Sequence, residues 1–162
     1  MMDLSALATA SGMRRTWDVL TKVPGGNRVF SKLLGRMAPY TGTIDPVVVD
    51  LRPGFARVQM RDRRAVRNHL DSIHAIALMN LAEVSSGVAM MASIPDDARG
   101  ILTGLSIRYG KKARGLLTAE CTCEPPATSE RREVTIEAVI RDESGAEVAR
   151  AQASWLIGPK KR

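Results

Sequence analysis

The chain has 162 residues, with 24 lysines and arginines against 17 aspartates and glutamates, for a formal net charge of +7. That length suits one domain whose core needs no disulfide or metal staple, and the charge suits an anionic partner: nucleic acid, membrane surface or phosphorylated cofactor. The few aromatic residues, Trp17, Phe30, Tyr40, Phe55, Tyr109 and Trp155, are scattered, which argues against the stacking platform of a single-strand binder.

In the first 30 residues Arg14, Arg15, Asp18, Lys22 and Pro24 interrupt every apolar stretch. No export signal is expected, and a cytoplasmic location is. Residues 1–38 read as an N-terminal helical extension in two pieces broken by Pro24-Gly25-Gly26. Leu4, Leu7 and Ala8 open the first; Val29, Leu33, Leu34 and Met37 mark the second. From Gly42 the period becomes strand-like. TIDPVVVDLR, the turn Pro53-Gly54 and FARVQMRD, with Phe55, Val58 and Met60 as its apolar positions, form an expected hairpin.

A basic connector, RRAVRNHLD, leads into a run from Ser72 to Ile94, which Pro95-Asp96-Asp97 stops. Four strand-like runs follow: ILTGLSIRYG, GLLTAECTCE, REVTIEAVIRD and AEVARAQASWLIG. Lys111-Lys112, Pro125-Pro126 and Glu143-Ser144-Gly145 punctuate them, and they are expected to form an antiparallel meander. Cys121 and Cys123 share one face of one strand, a poor geometry for bridging each other, and read as reduced thiols. Residues 159–162 form a basic tail.

The Ser72–Ile94 run contains one formally charged side chain, Glu83. Its length alone would span a bilayer, but His74, Asn80, Glu83 and the serines argue against a membrane span. With no βαβ alternation in the chain, the expected class is α+β. One curved antiparallel sheet of five to six strands wraps around a single long helix, apolar nearly all round and without an obvious solvent face. A lone acid in such a helix costs several kcal/mol unless it is paired, protonated or used.

Taken singly, the polar residues near this helix have plain explanations. Asn68 suits a loop, bonding local backbone; His74 suits a capped helix start, with Asp71 or Ser72 as alternative caps; Glu83 suits a buried structural acid. Together the segment NHLDSIHAIALMNLAEVSSG resembles the Asn, His-Gly-Gly, Asp/Glu signature of hotdog-fold acyl-CoA thioesterases of the phenylacetate-degradation type, with both spacings preserved. LSIRYGKKARG is a weaker echo of a following strand in that family. The resemblance covers roughly residues 40–158, with the hotdog domain over 39–158. The N-terminal helices, and glutamate with alanine in the motif, make the chain look like the branch called domain of unknown function 4442.

The resemblance implies a curved sheet around a central helix and assigns roles. Glu83 takes the place of the catalytic carboxylate, as general base on water or as nucleophile. Asn68 takes the place of the residue that orients the water or thioester, and the backbone N–H of Ala75, after His74, that of the oxyanion donor. Thr103 lies near where some relatives carry an assisting hydroxyl. A helix start suits an oxygen that becomes anionic, because its N–H groups are unpaired and lie at the positive end of the dipole. Ala75-Ile76 stand where the family has Gly-Gly.

His74 and Glu83 are separated by about 13.5 Å of helical rise and a half turn, so the helix start and Glu83 of one chain cannot grip one carbonyl. Since hotdog proteins pair their sheets edge to edge, a homodimer or dimer of dimers is implied, with each site shared. Arg64, Arg67, Lys111, Lys112 and Arg114 would then hold the phosphates of coenzyme A. The implied activity is hydrolysis of an acyl-CoA or acyl-carrier thioester as substrate, without metal or cofactor.

The alternative is a non-catalytic acyl-CoA or acyl-carrier-binding module on the same fold. His69 and His74 keep a dehydratase of hydroxyacyl thioesters as a third reading. Nucleic-acid binding would rest only on the net charge and on the C-terminal Pro159-Lys160-Lys161-Arg162, and is not expected. His69 and His74 have no clustered third ligand for a metal, and there is no Gly-x-Ser-x-Gly turn for a serine hydrolase.

Overall fold

A computed structural model describes residues 7–124 and 126–160. Leu4 of the expected first helix, Pro125 of the expected Pro-Pro turn, and Lys161 and Arg162 of the basic tail lie outside the described residues. The helical lead-in resolves into α1 (Ala10–Leu20), α2 (Gly26–Met37) and a single turn, α3 (Pro39–Gly42). Thr9 starts α1 by accepting the Gly12 N–H on its hydroxyl at 3.1 Å. Gly25, at φ 80°, makes the left-handed entry to α2 that a side chain would resist.

These helices are not loosely attached. Met13, Trp17, Phe30, Leu33 and Leu34 belong to one buried cluster with the strands, and the Trp17 and Phe30 rings meet edge to face at 5.1 Å. Polar bonds fix α1 as well. The Ser11 N–H donates to the Asp96 carboxylate at 2.8 Å, the Arg14 guanidinium to the Ala92 carbonyl, and the Lys160 ammonium to the Ala8 and Asp96 carbonyls at 3.1 and 2.7 Å.

The hairpin is β1 (Val47–Arg52) and β2 (Phe55–Arg61), turned by Pro53 and Gly54 with Gly54 at φ 76°. Phe55 departs from the expected pattern. Ala56, Val58 and Met60 face the core, so strand alternation puts Phe55 on the outer face, where Arg52 and Arg57 lie 4.5 and 5.6 Å from its ring centre.

The remaining strands are β3 (Ala98–Tyr109), β4 (Leu116–Thr122), β5 (Arg132–Arg141) and β6 (Glu147–Pro159), in one antiparallel sheet ordered β1-β2-β4-β5-β6-β3. The expected four-strand meander is therefore correct only for β4-β5-β6. β3 pairs with β6, while β4 takes the free edge of β2. The connector between β3 and β4 crosses the start of the long helix, tied there by Ile73 N–H to Ala113 O at 2.9 Å and Asp62 N–H to Gly115 O at 3.0 Å. Strand periodicity specifies faces but not neighbours, so this crossover left no mark in the pattern.

The long helix, α4, runs from Ala75 to Met91, shorter than the apolar run that contains it, and packs against all six strands. Among the described residues no helix is long and apolar enough to cross a membrane. This is the expected hotdog arrangement, a curved antiparallel sheet around one central helix. The sheet does not enclose α4 completely, however. Ala75, Ile76, Met79, Glu83, Gly87 and Met91 remain partly or fully open, and at 100° per residue they form one stripe along the helix. The expected absence of a solvent face is thus corrected: the stripe is apolar apart from Glu83, so hydropathy could not reveal it.

Candidate active site

His74 ends the extended approach to α4 and caps it, accepting the Ile76 N–H on Nδ1 at 3.0 Å. In the neutral ring this leaves a proton on Nε2, so the exposed side chain offers a donor. To act as a base, as a dehydratase would require, it would have to give up the cap. The next N–H, that of Ala75, has no acceptor among the described residues. It is the unspent donor at the helix start. The Tyr109 hydroxyl, within the segment LSIRYGKKARG that weakly echoes the family's following strand, donates to the Ala75 carbonyl at 3.0 Å and fastens the end of β3 beside it.

Asn68 holds the preceding loop. Its Oδ1 receives the Leu70 N–H at 2.9 Å and the Ser72 N–H and hydroxyl at 3.3 and 3.2 Å. These bonds fix the orientation of the amide and leave Nδ2 without an acceptor among the described residues, available to donate. Asn80 is a second unexpected participant. Its Nδ2 donates to the Tyr40 carbonyl at 3.2 Å, and with His74, Ile76 and Ala77 it lines a cleft of about 200 Å³ at the helix start.

Glu83 lies farther along α4. Eight residues of helix separate it from Ala75, about 12 Å of rise and 80° of rotation. Because the helix begins at Ala75, the half turn counted from His74 does not apply: Ala75 and Glu83 share the open stripe, and axial distance keeps them apart. The Glu83 carboxylate makes no hydrogen bond or ion pair among the described residues, and burial alone pushes its pKa up. It borders a pocket with Met13, Leu34, Met37, Gly87, Met91 and Trp155. A side chain at Gly87 would place its Cβ 3.2 Å from the Trp155 ring and 3.8 Å from a Glu83 carboxylate oxygen, so glycine lets the ring close against the helix there.

Thr103 is not brought to either group. It sits at the bulge where the β3–β6 register shifts between Leu102 and Gly104, and its hydroxyl lies 3.1 Å from the Ser154 carbonyl and 3.2 Å from the Glu133 carboxylate. The bulge turns it toward the outer face, away from the helix of its own chain.

The two basic segments, by contrast, converge at the start of α4. Arg67 bonds Asp62 at 2.6 Å and Asp71 at 2.9 Å, holding the Asp62 carboxyl below its usual range. Arg114 donates to the Asp71 carbonyl at 2.9 Å. Lys111 pairs with Asp142 at 2.6 Å, whose pKa is lowered to about 2 by that bond first and by Ser144 next. Arg64 and Lys112 are exposed, and neither side chain has an anionic or hydrogen-bonding partner among the described residues. Those two cations are uncommitted.

Among the described residues no three His, Cys, Asp or Glu side chains gather as a metal site. The two cysteines are buried and free, and burial raises both thiols, Cys121 to about 12, which leaves them unreactive. Leu78, Leu81 and Met90 fill the core, whereas Met91 reaches the Glu83 pocket.

The family model described as a domain of unknown function, DUF4442, matches residues 26–157. The chain belongs to this family. Its match begins at the first residue of α2. This DUF4442 chain is also similar to the crystal structure of a structural-genomics target, with 31% identity over 91% of this chain and 98% of that one and a TM-score of 0.78. A Pseudomonas aeruginosa protein of unknown function, described as a probable thioesterase, shares 22% identity over 83% of this chain and 94% of its own, with a TM-score of 0.70. A thioesterase family protein from Silicibacter pomeroyi shares 16% identity over 80% and 96%, with a TM-score of 0.69. The last two likenesses bear on the fold. No curated protein matches the chain.

Proposed function

We propose that the protein hydrolyses an acyl-CoA thioester to a carboxylic acid and free coenzyme A. The observation that carries this reading is Glu83: a half-buried carboxylate with no partner among the described residues, placed in an otherwise apolar open stripe of the central helix. In the proposed reaction Glu83 takes a proton from water as the water oxygen bonds to the thioester carbonyl carbon. The developing oxyanion is held by an Ala75 N–H, with Asn68 Nδ2 orienting the carbonyl or water. Collapse breaks the C–S bond, and the proton passes to the departing sulfur.

The oxyanion donor belongs to a partner subunit, because Ala75 of the same chain is about 12 Å away along the axis. Met79 lies midway between Ala75 and Glu83 on the stripe. Two α4 helices packed antiparallel about a two-fold axis at Met79 would set each Glu83 against the partner subunit's Ala75. The outer edge of β3, twelve residues long, is an open template for a second sheet. Light scattering should therefore give at least twice the chain mass at micromolar concentration, and Met79→Asp, which faces two carboxylates at the axis, should dissociate it. A monomeric wild-type protein would overturn the shared site.

Coenzyme A phosphates are proposed to sit at Arg64 and Lys112, the two uncommitted cations beside the helix start, with Arg114 contributing its free nitrogens. Replacing Arg64 and Lys112 with glutamate should raise the Kd for coenzyme A by more than tenfold and flatten its salt dependence. Unchanged affinity in calorimetry would remove them from the site.

Binding without turnover is the second reading. Ile76, 49% exposed at the helix start, puts a branched side chain next to the donor where a smaller residue would leave room. Release of thiol from an acyl-CoA panel decides between them: hydrolysis that disappears in Glu83→Ala supports the enzyme, and tight binding with no thiol release supports the module.

A further inference from the structure

We infer that the pocket walled by α1 and α2 holds the acyl group, and that it restricts the substrate to small uncharged acyl chains of about six carbons or one aromatic ring. This rests on the thioesterase reading above and names its substrate class. The pocket is about 130 Å³ and is lined by Met13 from α1, Leu34 and Met37 from α2, Gly87 and Met91 from α4, and Trp155 from β6. An apolar cavity of about 150 Å³ holds a benzene ring.

Its far wall is closed. Met13, Leu34 and Trp155 are 2%, 5% and 6% exposed, so beyond them lies packed core rather than a tunnel. Nor is that wall a flap. The bonds of Ser11 to Asp96, Arg14 to Ala92 and Lys160 to Ala8 hold α1 against the end of α4, so an extra methylene meets a fixed surface. Gly87 contributes by having no side chain, which leaves the Trp155 ring as floor directly beside the Glu83 carboxylate.

Charge selects as well as size. Among the described residues Glu83 is the one ionisable side chain on the lining, and no cation accompanies it. An acyl group ending in a carboxylate would meet like charge in an apolar pocket. A neutral butyryl, hexanoyl or benzoyl group meets a surface that is apolar apart from Thr41 and Glu83. Helices α1, α2 and α3 are thereby specificity elements, supplying Met13, Leu34, Met37 and Thr41 to a lining that the sheet and α4 alone would leave incomplete.

The test is the kcat/KM series from acetyl- to palmitoyl-CoA, with benzoyl- and succinyl-CoA, for the wild type, Met37→Ala and Met37→Trp. Met37 is 43% exposed, so both variants should fold where a change at Leu34 would open the core. The wild type should peak at four to six carbons or benzoyl and fall by about tenfold or more at octanoyl, the scale on which pockets discriminate added methylenes. Succinyl should be rejected. The octanoyl-to-butyryl ratio should rise in Met37→Ala and fall in Met37→Trp. A profile that climbs to palmitoyl, or a ratio unmoved in both variants, overturns the pocket while leaving hydrolysis standing. If no thiol is released from any substrate, hydrolysis fails, and calorimetry with the thioethers hexyl- and dodecyl-CoA judges the pocket alone: preference for hexyl that shifts in the Met37 variants sustains it, and equal affinity sinks it.

Discussion

Glu83→Gln is expected to lower the rate of thioester hydrolysis by about 10²–10⁴, the usual contribution of a positioned general base, while making the protein more stable at neutral pH. The two effects have one cause. Burial without a partner raises the Glu83 pKa, so ionisation opposes folding. Below the ordinary glutamate value of 4.5 the carboxyl is protonated both folded and unfolded, and its contribution to stability is fully present. As pH rises through the higher folded-state pKa that contribution is lost in the wild type, but not in the glutamine variant, which never ionises.

The difference in Tm should therefore be near zero in mild acid and grow with pH. A difference of about 1 kcal/mol would appear as about 2–4 °C in a chain of this size. Activity runs the other way: kcat of the wild type should fall as pH drops through the same raised pKa, because water needs the carboxylate. Thermal melts and pH–rate profiles of both proteins check this. Full turnover by the glutamine variant would remove Glu83 from the chemistry, and a Tm gap independent of pH would remove its burial as the cause.

Ala75→Pro isolates the oxyanion donor more sharply than any side-chain deletion. Ala75 is the first residue of α4, where proline is well tolerated because its missing N–H has no intrahelical partner. The preceding His74 already has the extended backbone, φ −65° and ψ 141°, that a residue before proline prefers. The Ala75 N–H serves nothing else among the described residues. The variant should keep its Tm within about 2 °C, since no hydrogen bond is lost, yet lose about 10²–10³ in kcat, the effect of deleting one oxyanion donor. Circular dichroism melts with single-substrate kinetics would show the separation. Undiminished kcat in a folded variant would exclude Ala75 as the donor and redirect attention to the free Asn68 Nδ2.

Much of this was legible in the chain. The Ser72–Ile94 run announced a helix buried on most sides, and Glu83 stood out because nothing nearby in sequence was able to neutralise it. The Asn68, His74 and Glu83 spacing carried the resemblance, and the structure shows why: Asn68 ties the loop, His74 caps the helix, and Ala75 is left with a free N–H. Thr103 was named from the resemblance alone, and the register shift beside it, which turns its hydroxyl to the Ser154 carbonyl, is set by pairing that no local pattern announces. Phe55 misled because its parity was read from hydrophobicity rather than from Val58 and Met60. Tyr109 was marked only by the weaker echo of the family's following strand, and Asn80 and Trp155 carried no site signal, since each gains its role only from a residue at least 34 positions away in the chain.

By itself, then, the sequence determined the element types, the central helix and the acid upon it. Those depend on local periodicity and on a charge without neighbours, which are properties of short stretches. Only the tertiary structure decided that β3 crosses to the far edge beside β6, that α4 keeps one open stripe, and that α1 and α2 close the pocket by Glu83. It also decided which cations remain free, because Asp62, Asp71 and Asp142 claim Arg67 and Lys111 once the two basic segments meet. Those outcomes depend on which surfaces come together. Pairing across long loops is governed by the sum of the packing it permits, and no single segment of the chain encodes that sum.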